Sequence, residues 1–236
     1  MSATKYDGRD LEAMSFAKNY HEWILAMFRP FLRGKVAEVG AGSGSFSELL
    51  LEESIAELVA IEPSDDMYRL LVDETKHDER VQTYNGFFSG IGAERPSYFD
   101  TVVYVNVLEH VEDDRGELIA VFEALRPGGH LCIFVPALPW LYSAHDASIG
   151  HHRRYLKGLL VASARSIGFE IVEARYFDFF GIVPWFVLMT LLKTKPGAGK
   201  VAFYDRLVVP VARMIESLVT PPIGKNVLLV VRKPEG

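Results

Sequence analysis

The stretch Val36-Ala37-Glu38-Val39-Gly40-Ala41-Gly42-Ser43-Gly44-Ser45-Phe46 decides how the rest of the chain is read. An apolar run ends in three alternate glycines and passes directly into a segment with helical spacing, Phe46–Glu53. A strand that turns into a helix through glycines lets backbone N–H groups approach a ligand that side chains would otherwise keep away. The local reading is a nucleotide-type cradle at the carboxyl end of a first strand. Two fingerprints compete for it. The dinucleotide pattern G-x-G-x-x-G would run Gly42-Ser43-Gly44-Ser45-Phe46-Ser47, with serine where the third glycine should bring helix and strand close. The pattern E-x-G-x-G-x-G, from Glu38 to Gly44, is complete.

Outward from this loop, strand-like and helix-like runs alternate, which is the signature of a parallel sheet covered by helices. Strands are expected at Val36–Val39, Leu58–Ile61, Val81–Tyr84, Thr101–Val105, His130–Val135, Glu170–Ala174 and Val227–Val231. Apolar residues at helical spacing mark Phe46–Glu53, Asp66–Thr75, Glu117–Leu125 and Leu156–Ile167. No such helix stands between the sixth and seventh strands, where a long insertion, 177–225, is expected to form an apolar helical lid. Before the first strand, within 1–34, Leu11, Met14, Phe16, Ala17, Tyr20, Trp23, Ile24 and Met27 suit one apolar side of a helical cap that Pro30 stops. The expectation is one α/β domain over residues 1–236, a doubly wound seven-stranded sheet.

With 236 residues the chain can bury a core without metal or disulfide support. A formal charge of −6 argues against nucleic acid as a partner, because neutralising phosphates needs concentrated basic surface. The single cysteine, Cys132, lies in the apolar run His130–Val135, so it reads as a core residue in a reducing compartment. No signal peptide is read at the polar N-terminus, and a cytoplasmic location is expected. The most apolar region, Tyr176 to Leu192, is broken by Asp178, Gly181 and Pro184 and falls short of the roughly 20 apolar residues a membrane span needs. Its aromatic and aliphatic side chains, followed by Lys193, Lys195 and Lys200, suit peripheral contact with a membrane, plain burial or a homodimer interface.

The complete loop resembles the nucleoside-binding loop of class I S-adenosylmethionine-dependent methyltransferases, and further segments carry the resemblance. Phe99-Asp100-Thr101-Val102-Val103-Tyr104-Val105 resembles the family's fourth strand, Leu108-Glu109-His110-Val111 the segment after it, and Leu125-Arg126-Pro127-Gly128-Gly129 the turn before the fifth strand. They stand in the family's order. The resemblance covers roughly 36–175 and implies a Rossmann-like methyltransferase fold whose sheet is mostly parallel, with the last strand antiparallel. It also implies S-adenosylmethionine as cofactor, held by Glu38, Gly40, Gly42, Gly44, Glu62, Asn106 and, near adenine, Asn85 or Gly86. Glu62 ends the second strand, where a carboxylate can accept from ribose hydroxyls in this family and in NAD proteins alike. Glu38 reads equally as a capping or orienting group for the loop.

Methyl transfer needs a nucleophile held in line with the methyl group and, for a hydroxyl, a proton acceptor. His110 is the expected base. A histidine at this spacing resembles that of phosphoethanolamine methyltransferases, where it works with a tyrosine of the N-terminal helix, here Tyr20. Glu109-His110 also resembles the pair of ubiquinone-pathway O-methyltransferases in which a glutamate three residues earlier completes a divalent-metal site. Here that residue is Asn106, and no metal ligand is assigned. After the fifth strand, the loop 136–155 is dense in polar groups, and His145, His151, Arg153 and Arg154 are the expected acceptor-binding residues. The paired arginines suit a carboxylate or phosphate. The function expected is methylation of a small or lipid-like acceptor at O or N. A non-catalytic methyltransferase-like scaffold and a nicotinamide-dependent reductase are the rival readings.

Overall fold

The structure, a computed structural model, describes residues 17–194 and 197–235. Seven strands, β1 (Gly34–Val39), β2 (Ile55–Glu62), β3 (Val81–Asn85), β4 (Phe99–Val105), β5 (Leu125–Pro136), β6 (Glu170–Phe177) and β7 (Asn226–Arg232), form one sheet. Their order is β3-β2-β1-β4-β5-β7-β6. Every pairing is parallel except those of β7, which runs antiparallel to both β5 and β6. The topology expected from the sequence is the one observed.

Side chains alternate across a strand, so each strand feeds two cores. Ala37, Val39, Ile133 and Leu229 face one side, covered by α4 (Phe88–Glu94), α5 (Asp114–Ala124) and α7 (Lys157–Ile167) through Phe88, Leu118, Val121 and Leu160. Val36, Cys132, Phe134 and Val230 face the other, covered by α1 (Lys18–Phe28), α2 (Ser45–Leu51), α3 (Asp65–Thr75) and α10 (Val209–Leu218). Cys132 is thus a core residue, and burial pushes its thiol up, out of the reactive range. Full burial of one such side chain is worth about 1.5–3 kcal/mol.

In α1, Tyr20, Trp23, Ile24 and Phe28 form the buried stripe, and Pro30 ends the α-helical geometry in a 3₁₀ turn, Arg29–Phe31. Leu11, Met14 and Phe16, which the sequence assigns to the same helix, lie outside the described residues. Tyr20, Trp23, Phe134 and Phe177 make an aromatic cluster, with Trp23 and Phe177 ring centres 3.9 Å apart, that docks α1 on the ends of β5 and β6.

Two local expectations differ. Helix α4 stands between β3 and β4, where Gly90 and Gly92 dilute the helical signal of the sequence. The loop 137–155 contains a 3₁₀ turn, Pro139–Leu141, and a short α6 (Ala144–Ser148) closed by a capping box between Ser143 and Asp146. The insertion is helical as expected: α8 (Ile182–Trp185) runs into a π-helical stretch (Phe186–Leu191). After it, α9 (Ala198–Phe203) continues through a π-helical stretch (Tyr204–Val208) into α10.

Candidate active site

The strand order reverses between β1 and β4, and ligands of doubly wound sheets bind at the carboxyl ends flanking such a point. A cavity of about 810 Å³ opens there. The carboxyl ends of β1, β4 and β5 form its floor, through Glu38–Ala41, Val105–Asn106 and Pro136, and the insertion forms its roof.

The glycine loop is shaped by backbone constraints. Gly40, Gly42 and Gly44 all have positive φ, 69°, 58° and 95°. A Cβ on Gly40 would stand 2.5 Å from Val107 Cγ2, so only glycine fits. Gly42 N donates to Glu62 Oε2 at 2.9 Å and Ser64 N to Oε1 at 2.8 Å, so the carboxylate at the end of β2 is fixed from both sides. Each of its oxygens keeps a second lone pair. Glu38 accepts a short hydrogen bond from Ser47 of α2, which ties strand to helix across the loop. Burial, aided by the nearby Glu62 charge, pushes Glu38 up to about 8 against that hydrogen bond.

Beyond β4 the backbone turns sharply. Asn106 has φ 54°, and its N–H donates to Phe134 O at 2.8 Å. Leu108–His110 is a single 3₁₀ turn. The loop 137–155 folds back on it: His152 N donates to Glu109 O, and the Tyr155 hydroxyl to Leu108 O at 3.1 Å. This brings His151 edge-on to His110, ring centres 4.6 Å apart. His151 Nδ1 is 2.9 Å from Asp146 Oδ1, and Arg154 Nε donates to the same oxygen at 2.9 Å. Burial works to raise Asp146, yet the His151 hydrogen bond and the Arg154 charge hold it well below the usual carboxylate range. Burial first, then the neighbouring His151, lowers His110 to about 4, so its imidazole is neutral near pH 7. Glu109 is fully buried and neither of its carboxylate oxygens has a hydrogen-bond partner; burial pushes it up to about 8. Ligand atoms of Glu109, His110 and His151 all lie within 4.8 Å of one another, a donor set that a divalent cation could use.

The roof is latched by buried acids. Asp178, in the left-handed region at φ 60°, takes hydrogen bonds from Tyr20 Oη at 3.1 Å, Tyr204 Oη at 2.5 Å and Gly181 N, and an ion pair from Lys225 Nζ at 2.9 Å. Asp205 accepts from Asn19 N at 3.1 Å and Tyr20 N at 2.9 Å, so an acid of the insertion caps the first turn of α1. Tyr20, Tyr204, Trp185 and Lys225 line the cavity beside the glycine loop.

A family model for the methyltransferase domain matches residues 13–177. The chain belongs to the methyltransferase domain family. Its insertion, α8 to α10, lies beyond the matched segment. Curated relatives include a mitochondrial ubiquinone biosynthesis O-methyltransferase of Schizosaccharomyces pombe, 31% identical over 42% of this chain and 36% of that one. Another is the ubiquinone biosynthesis O-methyltransferase of Xanthomonas euvesicatoria, 32% identical over 41% of each. The chain thus spans about two fifths of the length of these curated relatives. Among solved structures, a Mesorhizobium loti S-adenosylmethionine-dependent methyltransferase matches with TM-score 0.62 and 17% identity, over 92% of this chain and 99% of that one. Phosphoethanolamine N-methyltransferase 2 of Haemonchus contortus, in complex with S-adenosyl-L-methionine, matches with TM-score 0.67 and 17% identity, over 98% and 58%. The fold is that of the class I methyltransferases, and the reductase reading is not favoured: Ser47, where a dinucleotide fingerprint needs glycine, is fully buried and bonded to Glu38.

Within this methyltransferase domain the sequence-assigned residues separate. Glu38, Gly40, Asn106, His110, Tyr20, His145, His151 and Arg154 all line the one cavity, and Glu62, Gly42 and Gly44 complete the loop beside it. Five of the assigned residues lie off the cavity or are engaged by other protein groups. Asn85 and Gly86 are not among the cavity-lining residues; Asn85 Nδ2 donates to Asp65 at 3.1 Å on an exposed edge, and Gly86 N bonds Glu62 O. Arg153 is also absent from the cavity, because its guanidinium is paired with Asp114 at 3.1 Å and donates to Glu112 O. Arg154 faces the cavity, but its charge is taken by Asp146 and its guanidinium stacks over Trp185, 4.5 Å from the ring centre. Through Asp146 it shares the carboxylate oxygen that His151 Nδ1 approaches. Tyr20, expected as a catalytic partner, holds its hydroxyl between Asp178 and Asn226, 3.1 and 3.0 Å away. Burial and the Asp178 charge raise it far above the ordinary phenol value, and its two hydrogen bonds tie α1 to Asp178 and β7. Sequence reading missed Asp178, Asp205, Tyr204 and Lys225; the available signal was the presence of acids in an insertion otherwise apolar and basic.

Proposed function

We propose that the chain transfers a methyl group from S-adenosylmethionine to a hydroxyl of a small, largely apolar acceptor. The carrying observation is one cavity that joins the glycine cradle to a neutral, half-buried His110 under an aromatic roof. The cradle fits the cofactor by its backbone, since Gly40, Gly42 and Gly44 hold positive φ values that L side chains rarely adopt and Glu62 is already oriented by two N–H donors. Gly40 to Gly44, Glu38, Glu62 and Asn106 would hold it, and bound there it supplies an electrophilic methyl group on a sulfonium. The protein's own contribution is to align the acceptor, exclude water and remove the hydroxyl proton. His110 Nε2 or Nδ1 takes that proton, and His151 edge-on to it, oriented by Asp146 and Arg154, fixes the imidazole and stabilises the charge distribution around it. The lipid-like or quinol-like nature of the acceptor is supported by the apolar lining and by the curated relatives, which act in ubiquinone biosynthesis.

Formation of S-adenosylhomocysteine across quinol, catechol, lipid and amine acceptors tests this reading. With an acceptor in hand, His110→Ala lowers kcat by about 10² or more, while cofactor affinity changes less than about threefold, the scale of a lost packing contact. Full activity in that variant returns His110 to packing.

A second reading is favoured by Glu109, whose buried carboxylate accepts no hydrogen bond and lies 3.7 Å from His151 Nε2. A divalent cation held by Glu109, His110 and His151 would lower the pKa of the acceptor hydroxyl and leave proton removal to solvent. Chelation separates the two: on the base reading, turnover survives chelator treatment unchanged. Loss of activity on chelation, restored by Mg²⁺, Mn²⁺ or Zn²⁺, would establish the metal reading instead.

A further inference from the structure

The helix running from α9 through the π-helical stretch into α10 has two apolar faces, and only one is used by the fold. The inner face carries Asp205, Val209, Ala212 and Glu216, all buried. The outer face carries Phe203, Leu207, Val211, Met214 and Leu218, spaced four, four, three and four residues apart, each between 49% and 82% exposed. That is one continuous stripe of large apolar side chains turned to water, which a soluble surface does not retain without an occupant. Residues 182–223 contain two acids, Asp205 and Glu216, and both are buried. The exposed charges described on this segment are Lys193, Lys200, Arg206 and Arg213, all basic, in a chain whose net charge is −6. Among the described residues none of the four is in an ion pair. Phe203 both begins the stripe and lines the cavity, so the apolar face starts at the cavity mouth.

We infer that this face docks on an anionic lipid bilayer, with the stripe seated at the boundary between headgroups and acyl chains and the basic side chains on the headgroups. An apolar stripe with exclusively basic exposed charge beside it is the composition of an interfacial helix. A second copy of this chain is a poorer occupant, because a twofold contact would set the same basic residues against each other. Among the described residues no helix is long and apolar enough to cross a membrane, so the contact lies along the surface. Docked this way, the cavity mouth opens towards the bilayer, and an apolar acceptor can enter without crossing water. The inference goes beyond methyl transfer and is read without turnover.

Co-sedimentation of the whole chain with phosphatidylcholine vesicles, with and without phosphatidylglycerol, tests it. The expected result is at least about tenfold greater binding to the anionic vesicles, weakened by salt. Leu207→Glu/Val211→Glu should abolish binding, with unchanged thermal midpoint and S-adenosylhomocysteine affinity. Leu159→Glu, an exposed apolar residue on α7, should have no effect. Should the double variant fail to fold, Arg206→Glu/Arg213→Glu must lose the anionic preference while the chain stays folded. The inference is overturned if the parent stays in the supernatant with both vesicles, or if the folded stripe variant pellets as well as the parent. A dimer in sedimentation velocity that the stripe variant breaks would likewise overturn it, by assigning the face to a second copy.

Discussion

At the scale of single residues, the site works because a few polar groups are held where burial makes them expensive and hydrogen bonds make them rigid. Glu62 is the clearest case. Its two oxygens are fixed by the N–H groups of Gly42 and Ser64, so the geometry that would receive ribose hydroxyls exists before any ligand arrives. Glu62→Ala removes a charge-assisted acceptor worth about 1.5–3 kcal/mol, which predicts at least about a tenfold weaker Kd for S-adenosylhomocysteine by calorimetry. Unchanged affinity would remove Glu62 from the cofactor site. The loop itself was legible in the sequence because alternate glycines at a strand end give up side-chain packing and chain rigidity, a loss that close backbone approach compensates. Gly40, packed on Val107 with no room for a Cβ, shows that the loop also needs glycine for its fit against the segment after β4. Arg153 and Arg154 were legible only as a pair of cations. Which one faces the cavity is decided by Asp114 and Asp146, acids that reach them only after the loop folds back.

At the scale of elements, the strands and most helices follow from alternation and helical spacing, but the latch between α1 and the insertion does not. Asp205 and Tyr20 are 185 residues apart, and no local pattern joins an acid in one helix to the free N–H groups of another. The helix α1 has no side-chain cap of its own, so Asp205 supplies the missing acceptor and ties the roof to the cavity wall. Asp205→Ala should cost about 1–2 kcal/mol, the range for a lost N-cap, and lower the denaturation midpoint accordingly. Its local signature is faster amide hydrogen exchange in the first turn of α1 and along 198–208, with β4 and β5 unchanged. Uniform acceleration across the sheet would mean that Asp205 stabilises the whole fold and does not latch the roof. Helix α4 shows the opposite limit of sequence reading: its two glycines suppress a helix that packing of Phe88 and Ile91 against the sheet imposes.

At the scale of the molecule, the cost of burying ionisable groups in the wall of a largely apolar cavity should appear in how stability depends on pH. Glu38 and His21 both line the cavity, and burial shifts them in opposite senses. Glu38 rises from 4.5 to about 8, so between those values the folded chain holds a proton that the unfolded chain releases. Its contribution is fully present below 4.5 and is lost as pH rises through about 8. His21 falls from 6.5 to about 4, so its contribution is fully present above 6.5 and is lost as pH falls through about 4. The two slopes oppose each other between 4.5 and 6.5; Glu109, also raised to about 8, adds to the first, and His110, also lowered to about 4, adds to the second. The unliganded protein should therefore lose thermal stability on moving from about pH 6.5 to pH 8.5, and Glu38→Gln should make that alkaline decline shallower, with Glu109 supplying the remainder, while leaving the acid limb in place. His21→Phe should do the reverse, flattening the fall on the acid side. If Glu38→Gln leaves the alkaline slope as steep as in the parent, the carboxyl is ionised in the folded state and the cavity floor is wetter than its burial implies.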